Sequence, residues 1–126
     1  MTRIYIANAL IEERSALCLL CRDLKMEVVG EAADWLTTVV QTPFSSTDIL
    51  LIDWELLPIS PNKAIEELRK LCAVTMLVVI ISYLSIRQQL ALPIDADFFI
   101  SKGEMPEKII EHLQMIAASM DTAKPN

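Results

Sequence analysis

Three polar residues each close an apolar run. Asp53 ends "TDILLID" (47–53), Ser82 ends "VVIIS" (78–82) and Lys102 ends "DFFISK" (97–102). A carboxylate, a hydroxyl and an amine placed this way can form one polar cluster if the runs are neighbouring strands. Open parallel sheets gather their functional groups in the crevice outside the carboxyl ends of the strands. Adjacent strands lie about 4.8 Å apart, so Asp53 and Lys102 are separated by roughly 10 Å if one strand lies between them. The flexible stem of a lysine spans most of that gap. The spacing therefore predicts a direct or single-water contact in which Lys102 offsets the charge of Asp53, with Ser82 offering a hydrogen bond nearby. The plainer role for Asp53 is that of an acid that begins a loop.

The elements that must position these groups follow from periodicity. Apolar runs rich in β-branched residues, at 3–7, 27–32, 48–52, 76–82 and 97–100, alternate with stretches of helical period. The middle runs are nearly continuous, as expected of parallel strands covered on both faces. A first helix is expected from about 11 to 25, with Leu10, Leu17, Leu20 and Leu24 along one stripe. A third carries Ala64, Ile65, Leu68, Leu71 and Cys72, and a last one opens at Pro106 and buries Ile109, Ile110, Leu113, Ile116, Ala117 and Met120. Two shorter helices are expected at 34–41 and 85–91, the second cut short by Pro93. The alternation reads as one doubly wound α/β domain over 1–120, with 121–126 a tail or the start of a linker.

The 126 residues are 53% hydrophobic and 22% charged, a globular composition. A net charge of −6, with eleven Lys and Arg spread along the chain, provides no basic stripe for phosphates and argues against direct nucleic-acid binding. The N-terminus lacks the pattern of a secretory signal. The densest apolar stretch, Val74 to Ile81, is well short of the roughly 20 residues of a membrane span. A cytoplasmic location without membrane attachment is expected. Cys18, Cys21 and Cys72 are an odd number and indicate no disulfide framework. The C-x-x-C of "CLLC" falls mid-helix, so its cysteines read as small buried hydrophobes and not as a redox or zinc pair. His112 reads as a solvated helix residue. Phe98 and Phe99 read as one core and one semi-exposed side chain by strand alternation.

In "MEVVGEAAD" (26–34), "TDILLID" (47–53), "ADFFISK" (96–102) and "PEKIIEHL" (106–113) the chain resembles the receiver domains of two-component response regulators, especially those preceding helix-turn-helix output domains. The resemblance covers nearly the whole length. It implies a flavodoxin-like (βα)5 fold with strand order 2-1-3-4-5, and that order comes from the resemblance and not from the strand pattern. It implies Asp53 as phosphoacceptor, Ser82 as the switch hydroxyl, Lys102 as the accompanying amine and Phe99 as the aromatic that changes rotamer. A histidine kinase would donate the phosphoryl group, with Mg²⁺ neutralising its oxygens. The fourth helix, fifth strand and fifth helix would form the output surface and a homodimer contact, with a transcriptional output domain as a further partner.

The sequence also departs from that pattern. Two acids that close the first strand in the family are Ala7 and Asn8 here, which leaves Asp53, Asn8 and Glu55 as a weak candidate metal set. Mg²⁺ is usually held by one or two carboxylates with waters and phosphate oxygens. One lost carboxylate about 4 Å away is worth on the order of 4 kcal/mol at an effective dielectric of 20, before desolvation. Weak or absent Mg²⁺ binding is expected. Tyr83 follows the switch hydroxyl where the family has a small residue, and it is expected to cover the phosphoacceptor. The sequence thus points to an atypical, non-enzymatic receiver domain, a signalling and protein-interaction module with phosphorylation of Asp53 impaired or lost. The alternative is a phosphorylatable receiver using Asn8 and Glu55 as substitute ligands. A flavodoxin-like cofactor binder would need a Ser/Thr/Gly-rich loop after the first strand, and "NALIEER" is not one.

Overall fold

A computed structural model of the chain describes residues 1–72 and 76–123, with side chains as far as Met120. Five strands, β1 (Arg3–Ala7), β2 (Glu27–Ala32), β3 (Ile49–Asp53), β4 (Leu77–Ser82) and β5 (Phe98–Ser101), form one sheet in the order β2-β1-β3-β4-β5. Every pairing is parallel. The order reverses between β1 and β3, and a crevice opens at such a point beyond the strand ends. Asn8 follows β1 and Asp53 closes β3, so both stand at that crevice.

Helices cover both faces, and the period of two along each strand sorts the core into two layers. One layer joins Ile4, Ile6, Leu51, Val79, Ile81 and Ile100 to Leu17 of α1 (Ile11–Asp23) and to Leu113 and Ile116 of α5 (Pro106–Ala123). The other joins Tyr5, Leu50, Ile52, Val78 and Ile80 to Ile65 and Leu68 of α3 (Pro61–Leu71). Each fully buried Leu or Ile contributes about 1.5–3 kcal/mol, which is why the continuous apolar runs of β3 and β4 sit in the centre. Ala7 lies in the second layer beside Ile52 and contributes only its methyl group to the core.

Gly30 is fixed by close approach. A Cβ there would lie 2.5 Å from Cε2 of the fully buried Tyr5. Tyr5 donates its hydroxyl to Oε1 of Gln41 (2.7 Å), which ties β1 to α2 (Trp35–Gln41), and burial pushes its pKa up to about 12. The β1–β2 register slips between Ile4 and Tyr5, leaving Val29 as the extra residue before Gly30.

The strands fall where the apolar runs place them, and the helices differ in detail. The α1 face buries Leu17, Cys18 and Cys21, while Leu10 is exposed, because the helix starts only at Ile11. Leu71, expected on the buried stripe of α3, is exposed at the last turn. The fourth helix, α4 (Ile86–Leu90), is a five-residue piece held by a Ser85–Gln88 capping box. The last helix continues past Met120 to Ala123, so the expected tail begins inside it, and residues 124–126 lie outside the described residues. So do Val74 and Thr75 of the densest apolar stretch. Among the described residues, no helix is long and apolar enough to cross a membrane.

Candidate functional site

Asp53 is buried at the end of β3 and divides its two carboxylate oxygens between two tasks. Oδ1 accepts the N–H of Glu55 (2.9 Å) and caps the 3-10 turn Trp54–Leu56, so the acid does begin a loop. Oδ2 pairs with Nζ of Lys102, the direct contact that the strand spacing predicts. Lys102 leaves β5 with its backbone N–H donated to the carbonyl of Ser82 (2.6 Å), and this hydrogen bond places its side chain over the ends of β4 and β3.

The structure adds a residue that the sequence reading missed. Glu13, from the first turn of α1, offers Oε2 to Lys102 Nζ (2.6 Å), so the ammonium lies between two carboxylates. Asn8 donates Nδ2 to both acids, at 3.1 Å to Glu13 and 3.4 Å to Asp53, and its Oδ1 accepts the Leu10 N–H (2.9 Å). Tyr83 donates its hydroxyl to Glu13 Oε1 (2.9 Å), and the Lys102 ammonium lies 4.8 Å from its ring centroid. A legible signal for Glu13 existed. It stands at i, with Leu17, Leu20 and Leu24 at i+4, i+7 and i+11, so an acid was in line with the apolar stripe and had to face the protein.

The electrostatics follow from this sandwich. Burial alone would lower the pKa of Lys102, but hydrogen bonds to Asp53 and Glu13 and their charges raise it above its ordinary value. Burial alone would raise that of Glu13, but Lys102, Asn8 and Tyr83 bring it below the usual range. The Glu13 carboxylate in turn raises the Tyr83 phenol, which prefers to stay a donor. One cation faces two acids, so the cluster carries a net charge of −1, with the amide nitrogen of Asn8 where a further negative oxygen would repel.

The other expected residues take these places. Ser82 is buried and turns its oxygen to the Leu84 N–H (3.1 Å). Glu55 is exposed at the rim of a recess of about 300 Å³ above Asp53, which Asn8, Leu10, Ser82 and Tyr83 also line. Tyr83 remains 73% exposed and covers the Lys102–Glu13 pair more than the phosphoacceptor candidate itself. Phe98 and Phe99 are both half-buried, against opposite layers of the core, so neither is the fully buried partner that alternation suggests. His112 is half-buried and bonds Glu104 through Nε2 (3.0 Å), a tethered side chain and not a solvated one. Cys18 and Cys21 are buried free thiols, and burial pushes Cys21 up to about 12.

As it is oriented here, Asn8 is no ligand for a magnesium ion, which leaves Asp53 and Glu55 of the expected set. The carbonyl of Asn8 is held by a backbone N–H and its amide nitrogen faces the carboxylates, an orientation fixed by partners on both sides. An amide nitrogen is not a ligand for a hard cation that takes oxygens. Among the described residues, no group of three or more His, Cys, Asp or Glu is placed to hold a metal ion.

No protein-family model and no curated protein matches the sequence. Solved structures do match. The response regulator domain of Thermotoga maritima CheB is 20% identical over 99% of both chains, with a TM-score of 0.76. The response regulatory domain of MrkE from Klebsiella pneumoniae is 19% identical over 96% of this chain and 99% of that one, with a TM-score of 0.77. The isolated REC domain of RcsB from Salmonella enterica serovar Typhimurium, in the presence of the phosphomimetic BeF3-, is 14% identical over 99% of this chain and 91% of that one, with a TM-score of 0.76. With the same strand order and layers over its described length, the chain has the flavodoxin-like fold of response-regulator receiver domains.

Proposed function

We propose that this chain is an atypical receiver domain that acts through its surface, with Asp53 serving as a fixed anchor. In this reading Mg²⁺-dependent phosphorylation of Asp53 is impaired or lost, and the chain is not an enzyme. The supporting observation is the sandwich of Lys102 between Asp53 and Glu13 with the Asn8 amide against both acids. A receiver that accepts a phosphoryl group must bring a divalent cation and an anion to this carboxylate. Here an ammonium already neutralises it, and a donor nitrogen stands where a metal ligand is needed. The pinning extends outward, because buried Gln89 of α4 donates Nε2 to the carbonyls of Leu84 and Ile100. This fastens α4 to β5 on the surface through which a receiver would signal.

Partners under this reading are other signalling proteins in the cytoplasm, such as a histidine kinase or an output domain, and neither nucleic acid nor membrane. The recess above Asp53 favours the second reading, a phosphorylatable receiver in transcription regulation, because it leaves space for a phosphodonor. One experiment separates them. Mg²⁺ is titrated while the fluorescence of Trp54, next to Asp53, is followed; a small acyl-phosphate donor is then added and the intact protein weighed. The anchor reading expects no saturable change and no added mass. Saturable Mg²⁺ binding with rapid stoichiometric labelling of Asp53 would replace it with the second reading.

A further inference from the structure

The outer face of α2 is unlike the rest of the surface. From Trp35 to Thr47 the chain runs thirteen residues without a charged side chain, in a protein of net charge −6. Unlike the apolar run of β4, this one is presented outward. Leu36, Val40 and Phe44, one helical turn apart along α2 and the 3-10 turn that continues it (Thr42–Phe44), are 74%, 57% and 89% exposed. Beside this stripe an open groove of about 390 Å³ runs between α2 and α3, floored by Trp35, Val39, Ala64 and Leu68. Lys63 and Glu67, one turn apart on α3, stand on its far wall.

We propose that this face is a two-fold interface with a second copy of the chain. Charge is the argument for a second copy over another protein. Two copies that each carry −6 repel over most approaches, and here they meet without apposing like charges. In a two-fold contact, residue i of one copy meets j of the other, and j meets i. Antiparallel packing of α2 centred on Val40 sets Phe44 opposite Leu36 of the second copy, beside the groove that Trp35 lines. Each copy then supplies both the knob and the hole. Lys63 and Glu67 stand one turn apart on the groove wall, so an antiparallel two-fold approach can set Lys63 of one copy toward Glu67 of the other. Among the described residues, the charges that line the groove are complementary to themselves. Three side chains bury less than the about 800 Å² per partner of a standard interface, so even with the groove the contact is a small one. The dimer therefore dissociates on dilution.

Sedimentation velocity over a wide concentration range tests this on the full chain. The expected result is a reversible monomer–dimer equilibrium. Val40→Asp, which sets two like charges face to face on the axis, weakens it by about a hundredfold or more, with unchanged circular dichroism and, at concentrations where both proteins are monomeric, an unchanged melting temperature. Lys63→Glu weakens the dimer, and adding Glu67→Lys to it restores the association. A chain that stays monomeric at the highest concentration overturns the proposal. So does a dimer that withstands Val40→Asp and is lost with Leu90→Asp, which would place the contact on the α4 side.

Discussion

The two ends of the sheet use the same residue type differently. At the leading end, Asp48 stands just before β3 and accepts the backbone N–H of Arg3 (2.9 Å), and Asp97 stands just before β5 and accepts that of Val78 (2.7 Å). Each closes a peptide donor at the start of the neighbouring strand, and Asp97 also draws in Arg69 of α3 (2.9 Å). At the trailing end, Asp53 caps its own loop with one oxygen and meets Lys102 with the other, while Glu13 and Tyr83 close on that lysine from α1 and the end of β4. The leading acids satisfy backbone groups that any parallel sheet leaves over. The trailing acid faces a side chain that no strand geometry requires. A carboxylate at a strand start is thus sheet carpentry, whereas one at a strand end, in the crevice of the order reversal, is available for chemistry or for locking it away.

Breaking the lock should have the largest effect. Lys102→Met leaves Asp53 and Glu13 apposed without their cation, and it should cost about 3–5 kcal/mol in urea unfolding at neutral pH, as for a buried ion pair that loses one partner. A cost below that of Asp97→Ala would place the stronger bond at the wrong end of the sheet. Asp97→Ala should cost about 1–3 kcal/mol, because the Val78 N–H and Arg69 lose their shared acceptor, and hydrogen exchange at Val78 should accelerate.

Glu13→Gln sharpens the comparison through pH. The folded-state pKa of Glu13 is lowered from 4.5, so its contribution is present above that value and fades as pH falls through the folded value. Lys102 is raised from 10.5, so its contribution is complete below 10.5 and fades as pH rises through the folded value. The stability gap between wild type and Glu13→Gln should be flat between those limits and narrow outside them. A gap that vanishes near neutrality would contradict the sandwich.

Asp53→Asn should have a smaller effect than Lys102→Met, about 1–3 kcal/mol, because its amide nitrogen then faces the Lys102 ammonium. The amide oxygen can still cap the Glu55 N–H, and Lys102 keeps Glu13. A destabilisation as large as that of Lys102→Met would show that Glu13 carries little of the pairing.

How much of this was legible in the sequence follows from range. The five strands, the placement of Asp53, Ser82 and Lys102 at strand ends, and the Asp53–Lys102 contact could be read because strand spacing and lysine reach are fixed quantities. Glu13 was readable in principle from its place on the α1 stripe, yet its partners lie 89 residues away at Lys102 and 70 away at Tyr83. Local pattern carries no such information. The placing of Leu10 on the α1 stripe and the solvated reading of His112 failed for the same reason, since contacts beyond the local pattern decide what each side chain meets.

By itself the sequence determined which segments are strands and helices and which residues the strands deliver to their carboxyl ends, because periodicity and propensity act over a few residues. Only the tertiary structure decided that Asn8 turns its nitrogen toward the acids, that a second carboxylate from α1 shares the lysine, and that the α2 stripe faces outward. Those outcomes depend on hydrogen-bond partners and packing that chain folding brings together from far apart in sequence.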